Sequence, residues 1–155
     1  MPMTPEEMSD WCDRLVACGL AVRDRVRQVM SRSITGLAEP VAVEGGDTIF
    51  ELDRRVEPVI EEQIASWPAE CLPLVLIAEG FGADGRRVFG ELSETGCDDD
   101  GNENRYGYGN RKSNAPRGRF RILMDPIDGT RGLMYDKRPA WFLAAVAEDR
   151  GAETS

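Results

Sequence analysis

In the segment LMDPIDGT two aspartates, Asp125 and Asp128, stand three residues apart and are followed at once by Gly129 and Thr130. Carboxylate oxygens are hard donors of the kind Mg²⁺ prefers, since that ion takes one or two carboxylates and completes its shell with water and substrate phosphate oxygens. The Ile127 carbonyl adds a further oxygen. The backbone N–H groups of Gly129 and Thr130, at the start of a helical turn, favour a phosphate group, and the Thr130 hydroxyl is placed to orient a water. Metal-assisted hydrolysis needs these parts together: a polarised phosphoryl oxygen, an activated water and a stabilised leaving oxygen. A plainer reading exists, because Asp-Pro and Asp-Gly are common turn formers and the hexapeptide could serve only to connect two elements. On spacing alone both readings stay open.

Composition removes most alternatives. The 155 residues include no histidine, which excludes a Ser-His-Asp triad, a Cys-His pair and every His-containing zinc motif. Chemistry must rest on carboxylates, hydroxyls, thiols or lysine. The formal net charge of −9, from 28 acidic against 19 basic residues, disfavours a nucleic acid and makes a cation the more natural companion. Tyr106 and Tyr108 in RYGYGNRK place aromatics among basic residues, as single-strand binders do, but without a folded platform. In DDDGNE, aligning Gly101 with the invariant glycine of a calcium loop puts Gly96 and Gly107 at the first and last ligand positions, and both fail. Cys12, Cys18, Cys71 and Cys97 form no Cys-x-x-Cys pair and follow no secretory signal, so they are read as reduced thiols of a cytoplasmic protein. No apolar run approaches the ~20 residues of a membrane span.

The elements that must position the aspartates are legible in the periodicity. Thr4, Pro5 and Glu7 spell a helix start with a Thr-x-x-Glu capping box, and Met8, Trp11, Leu15, Cys18, Val22, Val26 and Val29 follow in steps of three and four. This predicts an amphipathic helix from 4 to about 33. Its other face interleaves Arg14, Arg23, Arg25 and Arg27 with Asp10, Asp13 and Asp24, the pattern of a solvated surface. Short extended pieces around Val41 and Val43, then Ile49 with Leu52 as a candidate continuation, joined by Gly45-Gly46, suggest a hairpin. Asp53 is placed to cap a second helix with Val56, Val59 or Ile60, Ile64 and Trp67 inward, and Pro58 requires that helix either to begin near Glu57 or to kink. LPLVLIAEG reads as a strand buried on both faces, ending at Glu79-Gly80, and Val88 to Leu92 as a second. Residues 95–118 form a long polar loop whose composition favours disorder. Phe120 to Met124 is a strand, the Asp-containing turn follows, and PAWFLAAVAE is another strand whose apolar run from Ala140 to Ala147 needs covering on both faces.

Asp125-Pro126-Ile127-Asp128-Gly129-Thr130 resembles the signature of the inositol monophosphatase family, part of a superfamily of Mg²⁺-dependent, lithium-sensitive phosphatases that includes fructose-1,6-bisphosphatase. The opening helix, DTIFELD at Asp47 to Asp53, LIAEG and PAWFLAAVA resemble the corresponding family segments. The resemblance implies one α/β (α+β) domain over 1–155, a layered α/β sandwich with the long N-terminal helix packed on a mainly antiparallel sheet. It implies that Glu79, Asp125, Asp128 and the Ile127 carbonyl bind Mg²⁺, with Asp125 bridging two ions. Thr130, with Asp53 behind it, would orient the attacking water while the Gly129 and Thr130 amides hold phosphate. The implied reaction is hydrolysis of an inositol or sugar phosphate monoester without a covalent intermediate; the alternative is a non-catalytic relative acting as a metal- or partner-binding module. Three positions depart from the family pattern: Glu79 is followed by Gly80 instead of a second glutamate, Phe50 stands where the family has threonine, and the usual lysine is missing from PVAVEGG. With twenty-five residues after Thr130, the family's second half is not represented, so the expected partners are a second copy of the chain or a complementing C-terminal half, with no nucleic acid and no membrane.

Overall fold

The structure is a computed structural model that describes residues 3–32, 40–44, 47–79, 81, 85–91 and 118–149, with the side chains of 42–49 left aside. The chain opens with α1 (Pro5–Arg32), a hairpin of β1 (Pro40–Glu44) and β2 (Asp47–Phe50), and α2 (Glu51–Ala65). Strands β3 (Leu74–Ala78), β4 (Arg86–Phe89) and β5 (Phe120–Asp128), the short helix α3 (Thr130–Met134) and β6 (Trp141–Glu148) follow. Four strands form an open mixed sheet in the order β4-β3-β5-β6, with β3 and β5 parallel and the outer pairings antiparallel. The architecture is α+β. The long polar loop expected over 95–118 falls almost wholly outside the described residues.

Helix α1 begins as its sequence dictates. The Glu7 N–H donates to Thr4 Oγ1 at 3.2 Å and the Thr4 N–H donates to Glu7 Oε2 at 2.8 Å, so two N–H groups that the first turn leaves without helical partners are satisfied reciprocally. These bonds hold the Glu7 carboxyl below its ordinary range. Trp11, Cys18, Val22 and Val26 are buried, as the stripe predicts, whereas Met8 is 50% exposed.

Both helices lie on one face of the sheet. Leu74, Leu76, Phe120, Ile122 and Met124 point into a core shared with Val22 of α1 and Val56, Ile60 and Ile64 of α2. Trp11 anchors it through edge-on contacts to Trp67 at 5.6 Å and Phe120 at 4.9 Å, an arrangement that suits the ring quadrupoles. Gly19 lets α1 approach β6 closely: a Cβ there would lie 2.9 Å from the Phe142 ring.

Pro58 does not end α2, which runs unbroken from Glu51 to Ala65. A proline removes one backbone donor from a helix. One residue along from the carbonyl that Pro58 leaves without its helical donor, the Arg25 side chain of α1 donates to the Arg55 carbonyl at 3.3 Å and ties the two helices together.

The other sheet face differs. Along β3, Val75 is buried and Ile77 half-buried, in keeping with a strand covered on both sides. On β5 and β6, Leu123 is 60%, Leu143 50% and Trp141 63% exposed. Among the described residues β6 is therefore covered on its helix side alone, and the expected second layer is not seen there. β4 spans Arg86–Phe89, shorter at its end than the strand expected through Leu92.

Candidate functional site

Residues three apart in a regular strand point to opposite faces. Asp125 and Asp128 escape that rule because the DPID segment is a bulge at the end of β5. Asp125 pairs with Leu143 and Asp128 with Trp141, so β5 spends one more residue than β6 over the same length. The extra residue shifts the alternation. Leu143 and Trp141 are both on the outer sheet face, which brings both aspartates there too. The expected turn is thus a bulged strand end, with Pro126 and Ile127 buried consecutively beneath it. The sequence carries a signal for this: inward apolar residues fall at 120, 122 and 124 and then at 127, a break of phase.

The Ile127 N–H donates to Asp125 Oδ1 at 3.2 Å, closing a local turn. After Asp128 the chain must turn sharply into α3. Gly129 makes the turn with φ of 94°, a left-handed conformation open to glycine at little steric cost. Thr130 then begins α3 in a buried position.

The Thr130 side chain is held by two distant parts of the chain. Its Oγ1 lies 2.7 Å from the Ile127 carbonyl oxygen and 2.8 Å from Asp53 Oδ1. Asp53 is not the N-cap of α2, as the sequence suggests, but its third helical residue; Phe50 is the cap. Asp53 Oδ2 accepts the Phe50 N–H at 2.8 Å, leaving Oδ1 turned to Thr130. A carboxylate in the first turn of α2 and a hydroxyl at the start of α3, far apart in sequence, are joined directly.

The proton count at this junction is informative. Thr130 has one hydroxyl proton and donates toward two oxygen acceptors, the Asp53 carboxylate and the Ile127 carbonyl, which share it. Burial pushes the Asp53 carboxyl above its ordinary range, against the lowering effect of the bonds from Phe50 and Thr130. Asp53 is a proton acceptor of raised affinity.

Glu79 directly follows the last paired residue of β3, Ala78, which aligns with Met124. Parallel pairing therefore brings Glu79 and Asp125 to the same end of adjacent strands, and both are solvent-accessible. Gly80 lies outside the described residues, as does the Asp47 side chain. Of the expected residues, Asp53, Thr130 and Ile127 form one bonded group, while Asp125, Asp128 and Glu79 occupy the strand ends beside it. Among the described residues no three His, Cys, Asp or Glu side chains converge closely enough to hold a metal ion by themselves.

An apolar cavity of about 200 Å³ lies behind the bulge, lined by Val22, Val26, Pro126, Ile127, Leu133 and Phe142 among others. Its walls do not suit phosphate. Cys18, Cys71 and the exposed Cys12 are free thiols; burial pushes Cys18 up to about 11, and it is a core residue. Among the described residues no helix is long and apolar enough to cross a membrane.

In comparisons with known proteins, no family model matches the chain and no curated protein matches it significantly.

Proposed function

We propose that this chain carries the metal- and phosphate-binding portion of a Mg²⁺-dependent phosphomonoesterase of the inositol monophosphatase type. The observation that carries the reading is the Thr130 hydroxyl set between Asp53 and the Ile127 carbonyl, immediately after a bulge that turns Asp125 and Asp128 to one face. A connecting turn requires neither feature.

The donor set fits a hard cation: carboxylates of Asp125, Asp128 and Glu79 and the Ile127 carbonyl, with water and phosphate oxygens completing the shell. When bound, Mg²⁺ supplies Lewis-acid polarisation of the phosphoryl oxygens and acidifies water. The amides of Gly129 and Thr130 receive the phosphate oxygens. Thr130 Oγ1 accepts a hydrogen bond from the attacking water and passes its own proton toward ionised Asp53, whose raised proton affinity suits it to that task. Water oxygen bonds to phosphorus, the ester P–O bond breaks, and solvent protonates the departing alkoxide.

Phosphate release from a panel of inositol and sugar phosphates, with and without Mg²⁺, tests the assignment. Activity that requires Mg²⁺ and disappears in Asp125→Asn is expected; a chain with no Mg²⁺-dependent release on any substrate refutes it. The second reading, a metal- or partner-binding module without catalysis, draws on the exposed Leu123, Trp141 and Leu143. It expects a Mg²⁺-dependent rise in melting temperature without turnover.

A further inference from the structure

The cavity behind the bulge encloses about 200 Å³ between α1, the end of β5, α3 and the start of β6. Val22 and Val26 of α1, Ile127, Leu133 and Phe142 make its inner walls, and among the described residues no acidic side chain lines it. The charged residues that do are Arg23 and Arg27, both exposed and so at its mouth. In a chain of formal net charge −9, this opening is lined by cations alone. We propose that the cavity binds a small amphipathic monoanion, with the apolar end inside and a carboxylate at the mouth on Arg27.

Volume limits the apolar part. A cavity of about 150 Å³ with aliphatic and aromatic walls accepts benzene, whereas a drug-sized ligand needs roughly 300 Å³ or more. The space here lies between the two and suits a group of roughly five to eight carbons. A sugar or inositol ring is a poor occupant, because the inner walls offer its hydroxyls no side-chain partner. The mouth fixes the charge. Arg23 donates from Nε and Nη2 to Asp24 Oδ1 at 3.0 and 2.8 Å, so its charge is offset by its neighbour. Arg27, about one turn further along α1, has neither an ion pair nor a hydrogen bond among the described residues. One uncompensated guanidinium calls for one negative charge, and its planar fork matches the two oxygens of a carboxylate.

The cavity shares a wall with the bulge. Ile127 lines it while its N–H donates to Asp125 Oδ1 and its carbonyl accepts the Thr130 hydroxyl. Leu133, on another wall, donates its N–H to the Gly129 carbonyl at 3.1 Å. A ligand packed against both side chains braces these two backbone bonds from behind, so occupancy is readable in the exchange of the Ile127 and Leu133 amides. The inference does not depend on what Asp125 and Asp128 bind.

Hexanoate, hexan-1-ol and hexylamine, titrated at millimolar concentration into the full chain and followed by two-dimensional NMR with hydrogen exchange, test this. Hexanoate should shift the resonances of Ile127, Leu133 and Phe142 and slow exchange at the Ile127 and Leu133 amides. It should bind roughly fivefold tighter than the alcohol, the upper range for an exposed ion pair, with hexylamine weakest. Arg27→Gln should erase that preference and leave the affinity for the alcohol unchanged. Ala140→Leu, which extends a half-buried wall residue into the cavity, should abolish the shifts from all three probes. Arg27 is exposed, so its replacement leaves folding intact and keeps the proposal testable if Ala140→Leu unfolds the chain. No shift at the wall residues, shifts that persist in folded Ala140→Leu, hexylamine binding as tightly as hexanoate, or a preference for hexanoate that survives Arg27→Gln overturns the proposal.

Discussion

Ile122 and Leu123 are consecutive residues of β5, yet Ile122 is wholly buried under the two helices and Leu123 is 60% exposed on the other side. The same contrast runs through β6, where Phe142 packs against Gly19 of α1 while Trp141 and Leu143 face outward. The two faces therefore divide the labour. The helix side supplies cohesion, through burial worth about 1.5–3 kcal/mol for each large apolar side chain. The outer side bears the carboxylates of Asp125 and Asp128 beside apolar residues that contribute little to folding by themselves. Thr130 and Asp53 stand where the two meet, a polar group fastened into the inner layer.

The contrast is most easily broken at Ile122. Ile122→Ala should cost about 2–5 kcal/mol, through lost transfer energy and a residual cavity, whereas Leu123→Ala should change stability by only about 0.5 kcal/mol; paired urea titrations measure both. Equal losses would mean that the outer face is covered in solution. Thr130→Val removes the donor that the Ile127 carbonyl and Asp53 share and should cost about 1–3 kcal/mol. Its unfolding midpoint in urea gives the figure, and a neutral result would show that the inner layer does not depend on the junction. Gly129→Ala forces a side chain into a left-handed turn and should cost about 1–2 kcal/mol, read as a lowered melting temperature with the fold retained.

The smallest effect is one of pH. Because the folded-state value of Asp53 is raised above 3.8, the folded chain holds that proton more tightly than the unfolded chain does. The stability it contributes is complete below the unfolded value and is lost as pH rises through the folded one. Asp53→Asn, which mimics the protonated acid, should flatten that part of the stability profile. Denaturation at pH 3.5, 5 and 7 compares the slopes, and parallel profiles for variant and parent would place the charge elsewhere.

Much of the inner face was legible in the sequence because it obeys local rules. The Thr4–Glu7 box, the Trp11-to-Val26 stripe and the apolar run of β3 each follow a period set by one element, and the structure realises them. Pro58 and Asp53 were harder, since a proline within the second turn of a helix costs one donor without ending it, and Asp53 serves its helix from the third position. The bulge escaped because Asp-Pro and Asp-Gly are turn dipeptides, which masked the break of phase at Ile127; the pairing of Asp125 with Leu143 and Asp128 with Trp141 makes the extra residue plain. The Asp53–Thr130 bond joins residues that no local pattern connects. The residues on the strand ends were named from motif and resemblance, but their common face came from register.

The one parallel pairing among the described residues, β3 with β5, also sets an order of assembly. Antiparallel β3 and β4 are joined by a short connection, so their partners lie close along the chain. Leu74 and Phe120, by contrast, must find each other across more than forty residues, and closing so long a loop costs entropy before any contact offsets it. Glu79 and Asp125 become neighbours only at that step. In refolding followed by pulsed hydrogen exchange, the amides of α1 and α2 should therefore be protected before those at the β3–β5 seam, and a cation that needs both strand ends would bind only the last species to form.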